Sequence, residues 1–321
     1  MKISVVVASR PDVAPSDDLA VAATADRLGF GELWIGEGWV WDAFVLATAI
    51  AARTDRIALT VGPIPVSIRD PLMIARAAAS TAAVAGRPVG VALGTSSVRY
   101  VEGAHGRRRH RPATALSESA QAVRALFRGG PVAFEGEVIS TNSGGLTLEP
   151  PGGPVTVAAF GDRAIEVAAT HADRMVLDLV SPEMAAEFRG RLDAAATGAG
   201  RPAPPLAAWI PVAIDPEPRT TEQITRSLVG YLGVAGYAEM FWRAGFGAAV
   251  DLAATGACRE QLLDALPEDA AQRMGIVGDI GTVEARLATY AAAGLDELVV
   301  VPATAGDPAG ERTLTALAEL R

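Results

Sequence analysis

Few side chains in this sequence are suited to chemistry, and those that are stand where predicted strands end. Glu37 follows the apolar run Leu33 to Ile35 with only Gly36 between, and Trp39 and Trp41 come soon after it. Aromatic neighbours exclude water, favour a protonated carboxyl and raise its pKa, which suits a proton donor working near neutral pH. The plainer role is a carboxylate that bonds backbone N–H groups and steadies the loop from Gly36 to Asp42; the sequence leaves both open. Two further loops offer close backbone approach and hydroxyl groups: Gly62-Pro63-Ile64-Pro65 and Gly94-Thr95-Ser96-Ser97. A basic segment from His105 to Arg111 reads either as a solvated loop or as a lid that meets an acidic ligand. Absences narrow the chemistry further. Lys2 is the only lysine, so Schiff-base and P-loop enzymes are excluded. His105, His110 and His171 form no metal-ligand spacing, and no metal site is expected. Cys258 is the lone cysteine, read as a small half-buried residue, so there is no internal disulfide or thiolate cluster. Chemistry here has to lean on a bound organic cofactor.

The elements that position these loops follow one rhythm. Ile57 to Val61 is a β-branched apolar run that suits a buried strand. Asp70 is placed as an N-cap, Pro71 as the first helical residue and Gly86 as the terminating glycine, and a second buried run, Val89 to Leu93, follows. This β-α-β unit has parallel strands and a right-handed crossover, so its two loops open on the same sheet edge, the edge where parallel α/β proteins bind ligands. The same pattern predicts strands at 2–8, 31–35, 155–159, 174–179, 206–214 and 298–301, giving eight runs in all. Two stretches interrupt it. One is a hairpin of Val132 to Ile139 with Leu146 to Leu148, an insert at about 130–150. The other is a helical insert at about 218–270, whose aromatic residues Tyr237, Phe241, Trp242 and Phe246 read as core, with a pocket wall or dimer contact as the alternative. The expected fold is a single (β/α)8 TIM barrel spanning residues 1–321. An open doubly wound sheet is disfavoured because no G-x-G-x-x-G follows the first strand.

Composition agrees with an enzyme acting on a small molecule. Half of the 321 residues are hydrophobic and a fifth charged, enough for a large core. A net charge of −9 and a pI near 5.0 argue against nucleic acid or an anionic membrane as partner. No apolar segment is long enough to span a bilayer and no signal-peptide pattern opens the chain, so a cytoplasmic protein is expected.

Taken together in order and spacing, LGFGELWIGE (28–37), RIALTVGPIP (56–65), DPLMIARAAASTAAVAGRPVGVALGTSS (70–97), VAAFGDRAIEVAATHAD (157–173) and GDIGTVEARLATYAAAGLDELVVVP (278–302) resemble the luciferase-like monooxygenase superfamily. Within it they are similar to the actinobacterial coenzyme F420-dependent (deazaflavin) oxidoreductases. The resemblance implies a barrel holding a deazaflavin, or alternatively FMN, at the C-terminal strand edge, and a homodimer. It implies a bulge with a non-prolyl cis peptide at Val61 and Gly62, backing the ring together with Pro63, and a pocket-lining loop at Gly94, Thr95 and Ser96. The family's phosphate site maps to Phe160, Gly161, Asp162 and Arg163, a helix N-terminus whose N–H groups face an anion, although the Asp162 carboxylate would repel phosphate or cap the helix. Members that oxidise alcohols or sugars carry an Asp-His pair where this chain has Glu37 and Gly38. A reductase drawing its proton from Glu37, Tyr100 or water therefore fits better. An FMN-dependent monooxygenase and a non-catalytic cofactor-binding protein are the other readings.

Overall fold

Side chains that alternate between two environments along each strand determine the architecture. The computed structural model describes residues 1–7 and 14–321; Ala8, predicted to end the first strand, lies outside the described residues. The strands are β1 (Lys2–Val7), β2 (Glu32–Ile35), β3 (Ala58–Pro65), β4 (Val89–Gly94), β5 (Val132–Glu135), β6 (Ser140–Ser143), β7 (Gly152–Ala158), β8 (Arg174–Asp178), β9 (Leu206–Ile214), β10 (Ile276–Gly278) and β11 (Glu297–Pro302). Eight of them close a parallel ring in the order β1-β2-β3-β4-β7-β8-β9-β11, with β11 returning to β1. These are the eight predicted runs, and the ring is a TIM barrel. β10 pairs only with the C-terminal end of β9.

Helices α1 (Pro15–Arg27), α2 (Ala43–Ala51), α3 (Pro71–Ala85), α4 (Pro112–Phe127), α5 (Asp162–His171) and α6 (Pro182–Gly198) alternate with the strands. The insert after β9 carries α7 (Pro218–Leu228), α8 (Tyr237–Phe241), α9 (Gly247–Ala254), α10 (Arg259–Asp264) and α11 (Ala270–Met274), and α12 (Ile280–Ala292) and α13 (Glu311–Glu319) complete the order. α3 starts and stops on its predicted signals: Asp70 accepts from the Met73 N–H at 2.9 Å, and Gly86 adopts φ +64°. The hairpin differs from expectation. Its strands both lie within 132–143, because Glu118 of α4 accepts the N–H groups of Glu137, Val138 and Ile139 at 2.8–2.9 Å and pulls the turn onto the helix. Cys258 is exposed, not half-buried, where the chain enters α10.

Outward-facing residues such as Val5, Leu33, Leu59, Val91, Val157, Leu177 and Val300 pack against the helices as the main core. The barrel interior is filled by a second set: Trp34 and Trp209 meet edge-on at 5.8 Å among Val6, Ala92, Val176 and Val299. The large residues come from β2 and β9, and β3 and β4 answer with small ones. At Gly90, a Cβ would come within 2.8 Å of both Thr60 Oγ1 and Pro154. Packing at interior density leaves no room for more.

Below the tryptophans lies a cluster of charge. Arg174 donates to Glu32 at 2.9 and 2.7 Å and to Glu297 at 2.6 Å, and stacks on Trp34 at 4.2 Å. Lys2 reaches Glu32 as well, and Glu297 at 3.4 Å. Burial works to raise the Glu32 pKa, but the Arg174 guanidinium and Lys2 override it and hold it at about 2. Glu32 therefore adds stability above the usual glutamate range, and that contribution drains away as pH falls from about 4.5 towards about 2. Arg174→Met strands two buried carboxylates and is expected to cost ~3–5 kcal/mol, read as a lowered urea midpoint. Acidification protonates Glu32, so the gap from wild type should narrow as pH falls from about 4.5 towards about 2; a gap unchanged with pH would sink this account.

Candidate active site

The C-terminal ends of the strands form the mouth of the barrel, and four ionisable groups meet on its β2–β4 side. Glu37 leaves β2 with its side chain only 8 % exposed, 3.5 Å from the Arg69 guanidinium. Arg69 also holds Asp42, which caps α2 through the Phe44 and Val45 N–H groups. Tyr100 donates its hydroxyl to the Gly38 carbonyl at 2.9 Å and lies beside the Glu37 carboxylate. Burial raises the Glu37 pKa, Asp42 adds to the shift, and Arg69 opposes it. The direction is the one expected from sequence, but the cause is partly different. Trp39 is 56 % exposed and turns its edge to Tyr100, with Arg99 over its face.

Strand β3 runs on through the predicted loop to Pro65, and its register against β4 shifts between Val61 and Ile64. The bulge is therefore present, but the cis bond is Gly62–Pro63, a prolyl bond, and not the non-prolyl bond expected at Val61 and Gly62. Val61 faces the outer core. Gly62 adopts φ +128°, and a Cβ there would lie 2.3 Å from the Ala92 carbonyl and 2.7 Å from the Ile64 nitrogen. Gly94 stands next to Pro63, a Cβ there coming 3.2 Å from the proline ring. The Thr95 hydroxyl accepts from Arg109 at 2.9 Å, and Arg109 also grips the Thr95 and Ser96 carbonyls. Ser96 itself is exposed at φ +53°. The basic segment is thus anchored to the β4 loop, with Arg107 and Arg108 exposed beside the mouth.

Across the mouth, β7 leads to Phe160 and then to the N-terminus of α5. Asp162 does not cap that helix; it pairs with Arg191 of α6 at 2.6 Å, and Arg191 also bonds the Phe160 carbonyl. The repulsion expected from Asp162 is offset by this partner, which lies 29 residues away and carries no local cue. Gly161 and Arg163 are exposed. Sequence reasoning also missed Asp178, the last residue of β8. It follows Arg174 and Val176 at period two, so it faces the barrel axis, and Tyr237 of α8 donates to it at 3.0 Å. Tyr231 bonds it as well, and burial pushes its pKa up to about 7. The predicted aromatic patch divides: Phe241 and Phe246 are core, Trp242 is exposed and not core, and Tyr237 packs on Phe160 at 4.7 Å.

A closed parallel ring with a set of titratable groups at its C-terminal mouth is the arrangement of a barrel enzyme. The chain belongs to the luciferase-like monooxygenase family, whose sequence profile matches residues 1–297. A Mycobacterium tuberculosis protein named as a coenzyme F420-dependent oxidoreductase is 28% identical, the match covering 94% of each chain. The coenzyme F420-dependent tetrahydromethanopterin reductase of Methanopyrus kandleri shares the fold at TM-score 0.84 and 20% identity, over 99% of this chain and 98% of that one. An F420-dependent secondary alcohol dehydrogenase solved with an F420–acetone adduct does so at 0.79 and 16%, over 100% and 98%.

Two substitutions test this geometry. Gly62→Ala drives a Cβ into backbone of the neighbouring strand, not into open pocket, and should lower the melting temperature outright; a variant that melts like wild type would refute the close approach. For Asp178 the folded pKa is raised from 3.8 to about 7, so stability falls as pH rises between those values and levels off above about 7. Asp178→Asn should raise stability by up to ~4 kcal/mol above about pH 7, at roughly 1.4 kcal/mol per pH unit, and leave it nearly unchanged near pH 4, as followed by thermal melts across pH.

Proposed function

We propose that this enzyme is a deazaflavin-dependent oxidoreductase that reduces a small organic substrate. The observation that carries the reading is the pairing, at one barrel mouth, of exposed arginines with a buried carboxyl held towards its acid form. The residues present fit the cofactor class. Pro63, Gly94 and Ala158 offer a low wall for a flat ring system between β3, β4 and β7, and the exposed start of α5 with Arg163 and Arg191 suits a phosphate. Arg107 and Arg108 suit the acidic tail of coenzyme F420, steering it despite the protein's net negative charge. The bound deazaflavin supplies the hydride chemistry. The chain's part is to wall the ring, keep the site dry and deliver a proton. Glu37 is the group assigned to that delivery, with Arg69 orienting its carboxylate and Tyr100 closing its other side. Where Glu37 and Gly38 stand there is no imidazole base, which favours reduction over alcohol oxidation.

Fluorescence titration should show coenzyme F420 binding more tightly than FMN. Arg107→Ser with Arg108→Ser should weaken F420 and flatten its salt dependence while leaving FMN unaffected. Tighter FMN binding would return the protein to the flavin monooxygenase reading. Glu37→Gln should keep cofactor affinity and lose ~10²–10⁴-fold in turnover. Loss of cofactor binding instead would mark Glu37 as a structural carboxylate.

A further inference from the structure

Among the described residues, the carboxylates of the barrel interior and its mouth named above are matched with cations, Asp178 excepted. Glu32 and Glu297 share Arg174 and Lys2, Glu37 and Asp42 share Arg69, and Asp162 takes Arg191. Asp178 has neutral partners: the ionisable side chains acting on it among the described residues are Tyr237 and Tyr231, both phenols from the helical insert. On its flanks, β9 places Trp209 directly opposite it in register, and β7 leads up to Phe160. A hydrogen-bonding phenol orients a carboxylate but does not neutralise it. The group is nevertheless held firmly. Leu179, immediately after it and 3 % exposed, adopts φ +54°, a conformation that a branched hydrophobic residue takes only when its surroundings impose it.

We infer that Asp178 is the anchor for a positively charged nitrogen on the substrate, a protonated amine or a related cation. The walls support this as much as the carboxylate does. Phe160, Tyr237 and Tyr231 stand in series, with ring centroids 4.7 and 4.8 Å apart, and the carboxylate is bonded to two members of this file of aromatic rings. Aromatic faces beside a lone carboxylate are the surroundings that organic cations select and anions avoid. Strands β2 and β8 lie four places apart in the eight-membered ring, on opposite walls of the mouth. A substrate held by its nitrogen on Asp178 thus extends across the mouth towards the Glu37 side. The anchoring role also agrees with the raised proton affinity of Asp178: burial raises it with no cation among the described residues to offset it, and a bound ammonium would lower its pKa and expel a proton.

The inference deepens the proposed function, because it takes this mouth as the substrate site. It is tested by calorimetric titration of the full-length protein with benzylammonium chloride and with its neutral near-isostere benzyl alcohol. At about pH 8, with Asp178 ionised, wild type should prefer the ammonium by about tenfold or more. At about pH 5.5 the preference should shrink as the carboxyl protonates. Asp178→Asn should lose it at both pH values while melting cooperatively, and Tyr237→Phe, which keeps the carboxylate, should retain it. Equal affinity for the two probes in wild type, failure of either to bind, or a preference that survives in Asp178→Asn would overturn the assignment. Coenzyme F420 titration of the same samples separates the two readings. A cation preference without F420 binding leaves the anchor standing and removes the deazaflavin proposal; F420 binding without a cation preference does the reverse.

Discussion

A guanidinium sealed inside a barrel has to find its counter-charges there, and the demands of Arg174 reach most of the ring. Its partners come from β2 and β11, Thr156 of β7 and Thr60 of β3 lie within 3.4 Å, and Lys2 of β1 closes the cluster from below. A one-residue slip in any of these strands would turn its contribution to the outer face and leave a buried charge unpaired. Register is thereby specified at the N-terminal end of the barrel by electrostatics, and higher up by the edge-on tryptophans. With the lower layers so constrained, the opposite end is free to carry groups poorly matched to one another. Stability and reactivity are divided between the two ends of the same strands.

The barrel was legible because its signals are local. Runs of β-branched residues, Asp-Pro at a helix start and glycine at its end repeat along the chain, and the eight strands were found where those signals placed them. The hairpin was read too long because the force that shapes it is not local: Glu118, distant in sequence, binds three successive N–H groups of its turn. The site shows the same division. Glu37, Gly62 and Gly94 were visible since they follow recognisable strands. Arg69, Arg191 and Tyr231 were not, because each matters through a partner between roughly 30 and 60 residues away, and Tyr237 was visible only as a member of an aromatic patch. For Asp178 a signal did exist in the polar–apolar–polar alternation of Arg174, Val176 and Asp178, which places a carboxylate on the inner face at the end of a barrel strand.

Charge at the mouth is distributed by element. The β4 side presents exposed arginines, the β2 side a cation shared by two acids, and the β8 side a carboxylate attended by phenols. Those phenols belong to the helical insert, which is otherwise organised around its own apolar cluster of Leu228, Leu232, Phe241, Phe246 and Met274. The insert therefore supplies part of the lining without contributing a strand to the barrel.

The bulge in β3 has a consequence for how the chain can change over evolutionary time. Three steps along β3, from Val61 to Ile64, match two along β4, from Val91 to Leu93, and both Val61 and Ile64 face the helices. Gly62 and Pro63 together fill the space of a single inward position. Losing either by deletion would restore strict alternation with Ile64 still facing the helices, but it would erase the bulge and with it the close approach of this backbone to the Ala92 carbonyl. Point substitutions in neighbouring loops can accumulate one at a time, whereas the length of this segment is inherited whole.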